Sequence, residues 1–74
     1  MAVPKDSPLI GKSIGELKFW QSTGGTIVAI RRGQTVVLSP GPYAELYAGD
    51  VIVLVGNSAA VEAARRLATE KEDS

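Results

Sequence analysis

The chain has 74 residues, no cysteine and no histidine, and its eight basic side chains balance eight acidic ones. That length makes one domain with a thin core, and the missing residue types exclude a disulfide, a Ser–His–Asp triad and a Cys–His pair, and leave zinc only carboxylates. Zero net charge argues against a nucleic-acid polymer as partner, because such binders neutralise phosphates, and no apolar run approaches the ~20 residues that span a bilayer.

Val3-Pro4-Lys5-Asp6-Ser7-Pro8 reads as extended, because proline fixes φ and disfavours helix before it. It suits the end of an edge strand. The stretch lacks the apolar core of a signal peptide, and so abrupt a start suggests a piece cut from a larger protein. Ser13-Ile14-Gly15-Glu16 has the form of a capping box. It predicts a helix over 14–20 with Ile14 and Leu17 inward, Trp20 or Gln21 one turn on, and Gly24-Gly25 as its end. Residues 26–31 are β-branched and apolar, hence a strand. A turn at Arg32-Gly33 leads to a returning strand over 34–39, which Pro40-Gly41-Pro42 stops. Residues 43–48 cross over, with a short strand or turn around Leu46. Gly49-Asp50 turns into the most apolar strand, 51–55. Asn57 or Ser58 caps a last helix over 59–68, whose inner stripe is Ala60, Ala63, Ala64 and Leu67. Glu62 is spaced to pair with Arg65 and Arg66.

The predicted fold is α+β: a small, largely antiparallel sheet of three to four strands with two helices, in the order β-α-β-β-β-α. The domain covers residues 1–68, and a polar tail over 69–74 is expected to fray. The central strands do not alternate. Ile27, Val28, Ala29 and Ile30, and again Val51 through Val55, send apolar side chains to both faces. Two short helices cover about one face, so a second copy of the module, a homodimer first of all, or another domain is expected to cover the other, ahead of cover by loops and the Trp20 region.

No carboxylates group into a catalytic site. Asp6, Glu16, Glu45, Asp50 and Glu62 are spread along the chain, so the expectation is no enzyme and no metal site. A catalytic alternative would rest on Asp50 or Glu45 as a base. Asp50 is better read as capping backbone N–H groups at its turn. Gly24-Gly25-Thr26 lacks a phosphate-loop pattern and reads as a helix cap. Arg31-Arg32 either grip a phosphate or carboxylate bidentately, or form a solvated turn that guards the sheet edge. Trp20 reads as a core or interface anchor before a stacking surface.

Taken in order, Ser7-Pro8-Leu9-Ile10-Gly11-Lys12-Ser13-Ile14-Gly15-Glu16-Leu17, Gly25-Thr26-Ile27-Val28-Ala29-Ile30-Arg31-Arg32-Gly33, Ser39-Pro40-Gly41-Pro42 and Leu46-Tyr47-Ala48-Gly49-Asp50-Val51-Ile52-Val53-Leu54-Val55-Gly56 resemble the TrkA C-terminal domain, the C-terminal lobe of RCK (regulator of potassium conductance) proteins. The resemblance runs to Leu67. It implies a dimeric α+β domain that binds a small regulatory ligand and passes the signal to a potassium channel, transporter or antiporter. It further implies an upstream nucleotide-binding or membrane transport domain, and a cytoplasmic place at an inner-membrane transport protein without insertion into the membrane. In several members the ligand is cyclic di-AMP at the dimer interface, so that or another nucleotide is the implied ligand. Carried onto this chain, the implied ligand-binding residues are Trp20, Gln21, Ile27, Arg31, Arg32 and Pro40, with arginines on phosphates and apolar groups on bases. The alternative is a purely structural dimerisation or docking module without ligand.

Overall fold

Three β-branched runs make the sheet. Thr26–Arg32 forms β1, Thr35–Leu38 forms β2 and Val51–Val55 forms β3 in a computed structural model that describes residues 1–69. All pairings are antiparallel, in the order β2-β1-β3. The β1–β2 loop is Gly33 and Gln34, one residue later than Arg32-Gly33. Gly33 takes φ +60, which the first position of a two-residue hairpin loop requires. Between β2 and β3 the chain crosses the sheet end, and there Leu46 and Glu45 bridge to Ile10 and Ser13. The extended piece expected near Leu46 is thus a pair of isolated bridges. On the outer edge of β3, the Val3 N–H donates to Asp50 O at 2.8 Å and the Ile52 N–H to Met1 O at 2.7 Å. The N-terminal segment therefore covers that edge, as a single bridge at Ala2 rather than a full fourth strand.

The register settles which side chains face inward. Ile27 pairs with Leu54 and Ile30 with Ile52, and all four share one face. Ile27 and Ile30 are three apart, which a regular strand would send to opposite faces. A register shift between Ile27 and Ala29 leaves Val28 as an extra residue and resets the phase. This explains why the run Ile27 to Ile30 shows no alternation. The opposite face carries Ala29 and Arg31 from β1, Val36 and Leu38 from β2, and Val53 and Val55 from β3.

The helix predicted over 14–20 is two helices, α1 (Ile14–Leu17) and α2 (Phe19–Thr23). Lys18 between them is left-handed, with φ 49 and ψ 51. The break resets the helical phase. Phe19 enters the core, and Trp20 is 64% exposed, so Trp20 is not the core anchor that a continuous helix would make it. The Ser13 hydroxyl caps α1 by accepting from the Glu16 N–H at 3.1 Å, and Gly24, at φ 79, ends α2. The last helix, α3 (Ser58–Thr69), is capped by the Asn57 side chain, which accepts from the Ala60 N–H at 2.9 Å. Its buried stripe is Ala60, Ala64 and Ala68, with Ala63 and Leu67 half-buried beside it. Thr69 closes α3; the rest of the polar tail, 70–74, lies outside the described residues. An ion pair joins Arg32 and Asp50, whereas Glu62 pairs with neither Arg65 nor Arg66.

The core lies between the sheet and α2 and α3. Phe19, Ile27, Ile30, Leu46, Ile52 and Ala64 are its centre. Ser7 ties the ends of the chain together there: its hydroxyl donates to Ala68 O and accepts from the Leu9 N–H. At the other end, α1 lies close to the proline loop. The Gly15 N–H donates to Pro42 O at 2.8 Å, and a Cβ on Gly15 would lie 2.9 Å from Pro42 Cβ. Gly15→Ala is therefore expected to lower stability by about 1–3 kcal/mol through overcrowding, despite alanine's better helix propensity. An unchanged urea midpoint would contradict this close approach.

Candidate functional site

Two neighbouring arginines end β1, and a strand sends successive side chains to opposite faces. Arg32 turns to the inner side and meets Asp50, whose side chain is 1% exposed. Arg32 Nε and Nη2 donate to Asp50 Oδ1 and Oδ2, each at 2.8 Å. Asp50 Oδ2 also accepts from the Tyr47 N–H at 2.9 Å, the capping bond expected at that turn. Arg32 Nη2 reaches Glu45 O at 3.0 Å, and its guanidinium carbon stands 4.4 Å from the Tyr47 ring centre. A buried carboxylate costs free energy unless it is paired and bonded, and here both oxygens are engaged. The bonds from Arg32, helped by the Tyr47 N–H, hold the Asp50 carboxyl below its ordinary range against the opposing effect of burial. Asp50 in turn pushes the Arg32 guanidinium further up. A carboxylate held ionised by a bidentate arginine is an anchor and a poor proton acceptor, which removes the basis for Asp50 as a general base.

Arg31 lies on the other face, between Val36 and Val51. That face is open. Leu38, Ala29 and Val53 form one cross-strand row, Val36, Arg31 and Val51 the next, and Val55 stands beyond, opposite Thr26. Leu38 is 75% exposed, Val55 60% and Val36 53%. Only Ala29, flanked on both sides, is buried. Contiguous apolar side chains of this kind mark an interaction surface on a soluble domain.

The residues implied by the family pattern are separated by this geometry. Ile27 belongs to the core, at 8% exposed, and faces the helices. Arg32 is committed to Asp50 and Glu45. Trp20 and Gln21 are exposed on α2, and Pro40 is half-buried beyond β2. No hydrogen bond or ion pair among the described residues links Trp20, Gln21, Arg31 and Pro40 to one another. The residues missed from the sequence are Val36, Leu38, Val53 and Val55 as a single patch. Their parity along β2 and β3 was the available signal, but it becomes readable only once the bulge in β1 fixes the register.

The TrkA-C domain family model matches residues 1–69. Among solved structures, the RCK_C domain dimer of S. agalactiae BusR in complex with c-di-AMP is 40% identical, with a TM-score of 0.86 over 90% of this chain and 83% of that one. This chain spans 33% of the BusR chain solved with its busAB-promotor DNA. The RCK C domain of the potassium transport protein KtrA, also in complex with c-di-AMP, is 31% identical, with a TM-score of 0.69 over 73% of this chain and 64% of that one. The ammonium/H(+) antiporter subunit AmhM of Alkalihalophilus pseudofirmus is 29% identical over 97% of this chain, which spans 43% of that subunit's length.

The Arg32–Asp50 pair has a pH signature. The folded carboxyl titrates below its unfolded value of about 3.9. Its contribution is therefore full above that value and is lost as pH falls through the folded one. Asp50→Asn is expected to cost about 1–3 kcal/mol at pH 7, with the gap to the parent narrowing below about pH 4. Urea titrations across that range read both quantities, and a gap independent of pH would exclude an ionic anchor.

Proposed function

The chain belongs to the TrkA-C domain family, and from that premise we propose that it is the regulatory, small-ligand-binding and dimerisation domain of a cation transport system. The observation that carries the proposal is the open apolar side of the sheet with Arg31 at one end of it. A domain of this size has little core to spare, and an uncovered apolar face is best stabilised by a second copy. Arginine beside such a face suits an anionic ligand with a flat apolar body, the chemistry of a nucleotide. BusR and KtrA domains of the same fold are solved with c-di-AMP, and that dinucleotide is the ligand proposed here.

In this reading Arg31 meets phosphate, and the valines and Leu38 of the open side contact the bases. Trp20, Gln21 and Pro40 complete the proposed set from the second copy or the rim. Arg32 and Ile27 support the site from within the fold. The domain's output depends on the longer protein around it, and similar modules occur in a potassium transport protein, in an antiporter subunit and in BusR, solved in complex with its promoter DNA. A potassium or other monovalent cation carrier is the proposed destination, at the cytoplasmic side of the membrane; no described helix is long and apolar enough to cross one.

Sedimentation and calorimetry test this. The chain is expected to be a dimer that releases heat with c-di-AMP. Arg31→Ala should weaken binding at least about tenfold, as loss of a charge-assisted contact does. Arg32→Ala should instead lower the melting temperature. A dimer silent toward c-di-AMP and related nucleotides would favour the docking module without ligand, and a monomer at high concentration would sink both.

A further inference from the structure

Two non-glycine residues among those described take a left-handed φ, Lys18 at 49 and Ser39 at 48. A Cβ makes that conformation costly. Elsewhere the chain uses glycine for such corners, as at Gly33 and Gly49, where an added Cβ would meet nothing within 4 Å. Ser39 is doubly constrained, because it precedes Pro40, and proline pushes the residue before it toward an extended backbone. An extended Ser39 would carry β2 straight on. The left-handed corner turns the chain off the end of the strand instead.

Both corners belong to one frame, and Gly15 links them. Its N–H donates to Pro42 O at 2.8 Å, and its carbonyl accepts from the Lys18 N–H at 3.1 Å. The Ile14 N–H adds a bond to Ala44 O at 2.9 Å. On the far side of the loop, the Ser39 N–H donates to Val28 O at 2.9 Å, which ties that corner to the bulge of β1. No residue of α1 is fully buried, so core packing does not set the position of this frame. Backbone bonds and two stiff corners do.

Each corner leads directly into residues of the proposed ligand set. The break at Lys18 sends Phe19 into the core and leaves Trp20 and Gln21 exposed on α2. The corner at Ser39 sets the direction of Pro40, which is half-buried just past Leu38 of the open face. Strained backbone held in place by surrounding bonds is a mark of preorganised sites. We infer that Lys18 and Ser39 are positioning residues, whose left-handed corners hold Trp20, Gln21 and Pro40 in the arrangement that a nucleotide meets. This rests on the ligand reading above and adds the residues that shape its site. Glycine at either corner would relax the strain but free the backbone, and binding would then include ordering it.

The experiment compares asparagine with glycine at each corner. Both accept a left-handed φ more readily than lysine or serine does. Lys18→Asn, Lys18→Gly, Ser39→Asn and Ser39→Gly should therefore all fold, with urea midpoints at or above that of the parent chain. A fall in all four would show relaxed corners and overturn the inference. Asparagine keeps each corner stiff, and its variants should bind c-di-AMP alike at each position as tightly as a stiff corner allows. The glycine variant should bind at least about threefold more weakly than the asparagine variant at the same position. Lys18→Asn and Lys18→Gly remove the same charge, so their difference reports the backbone alone. Equal affinity of the asparagine and glycine variants at a corner overturns the inference for that corner and leaves the ligand reading standing. A parent chain silent toward c-di-AMP overturns both.

Discussion

The bidentate pair of Arg32 with Asp50 holds the working geometry of this domain in place. Asp50 joins pieces that are distant in sequence. Its side chain takes the end of β1 and the Tyr47 amide. Its carbonyl takes Val3 of the N-terminal segment. A carboxylate buried at such a junction is tolerable only because the arginine's fork matches it. The pair thereby fixes the start of β3, the exit of β1 and the edge cover together. It also divides the labour of two adjacent arginines. One is consumed by the fold, and the other is left facing outward beside apolar side chains.

The second constraint is size. Helices and loops give this chain enough material to cover one face of its sheet and one of its edges. The inner face takes Phe19, Leu46 and the alanine stripe of α3. Alanines let α3 sit close, with Ala64 wholly buried. The other side is left with valines, a leucine and Arg31 exposed. For a small domain without disulfides, association is the remaining way to bury more apolar surface. In the proposed reading, a ligand site at the association surface would let a ligand favour one assembly over another, since it would bind what both copies build.

Much of this was legible in the sequence. The run Val51–Val55 is a strand, Asn57 caps α3, and Asp50 caps its turn because short polar side chains after glycine do so. The non-alternating strands pointed to apolar groups on both faces. Other features carried no local signal. Lysine at position 18 gives no hint of a left-handed φ, yet that residue exchanges Phe19 for Trp20 in the core. The bulge in β1 is invisible in a run of β-branched residues and decides which of them face out. The Arg32–Asp50 bond spans β2 and the crossing, a separation of 18 residues. Neighbouring strand residues point to opposite faces, so the unequal fates of Arg31 and Arg32 could have been foreseen from parity alone.

Thiol labelling of Leu38→Cys and Val53→Cys chains, followed as a function of protein concentration, tests the central claim that the open side of the sheet is covered by a second copy. Both side chains lie exposed on that face, and the chain has no cysteine of its own. Labelling of both should slow together as the dimer forms. Labelling that stays fast at concentrations where the chain sediments as a dimer would contradict the account.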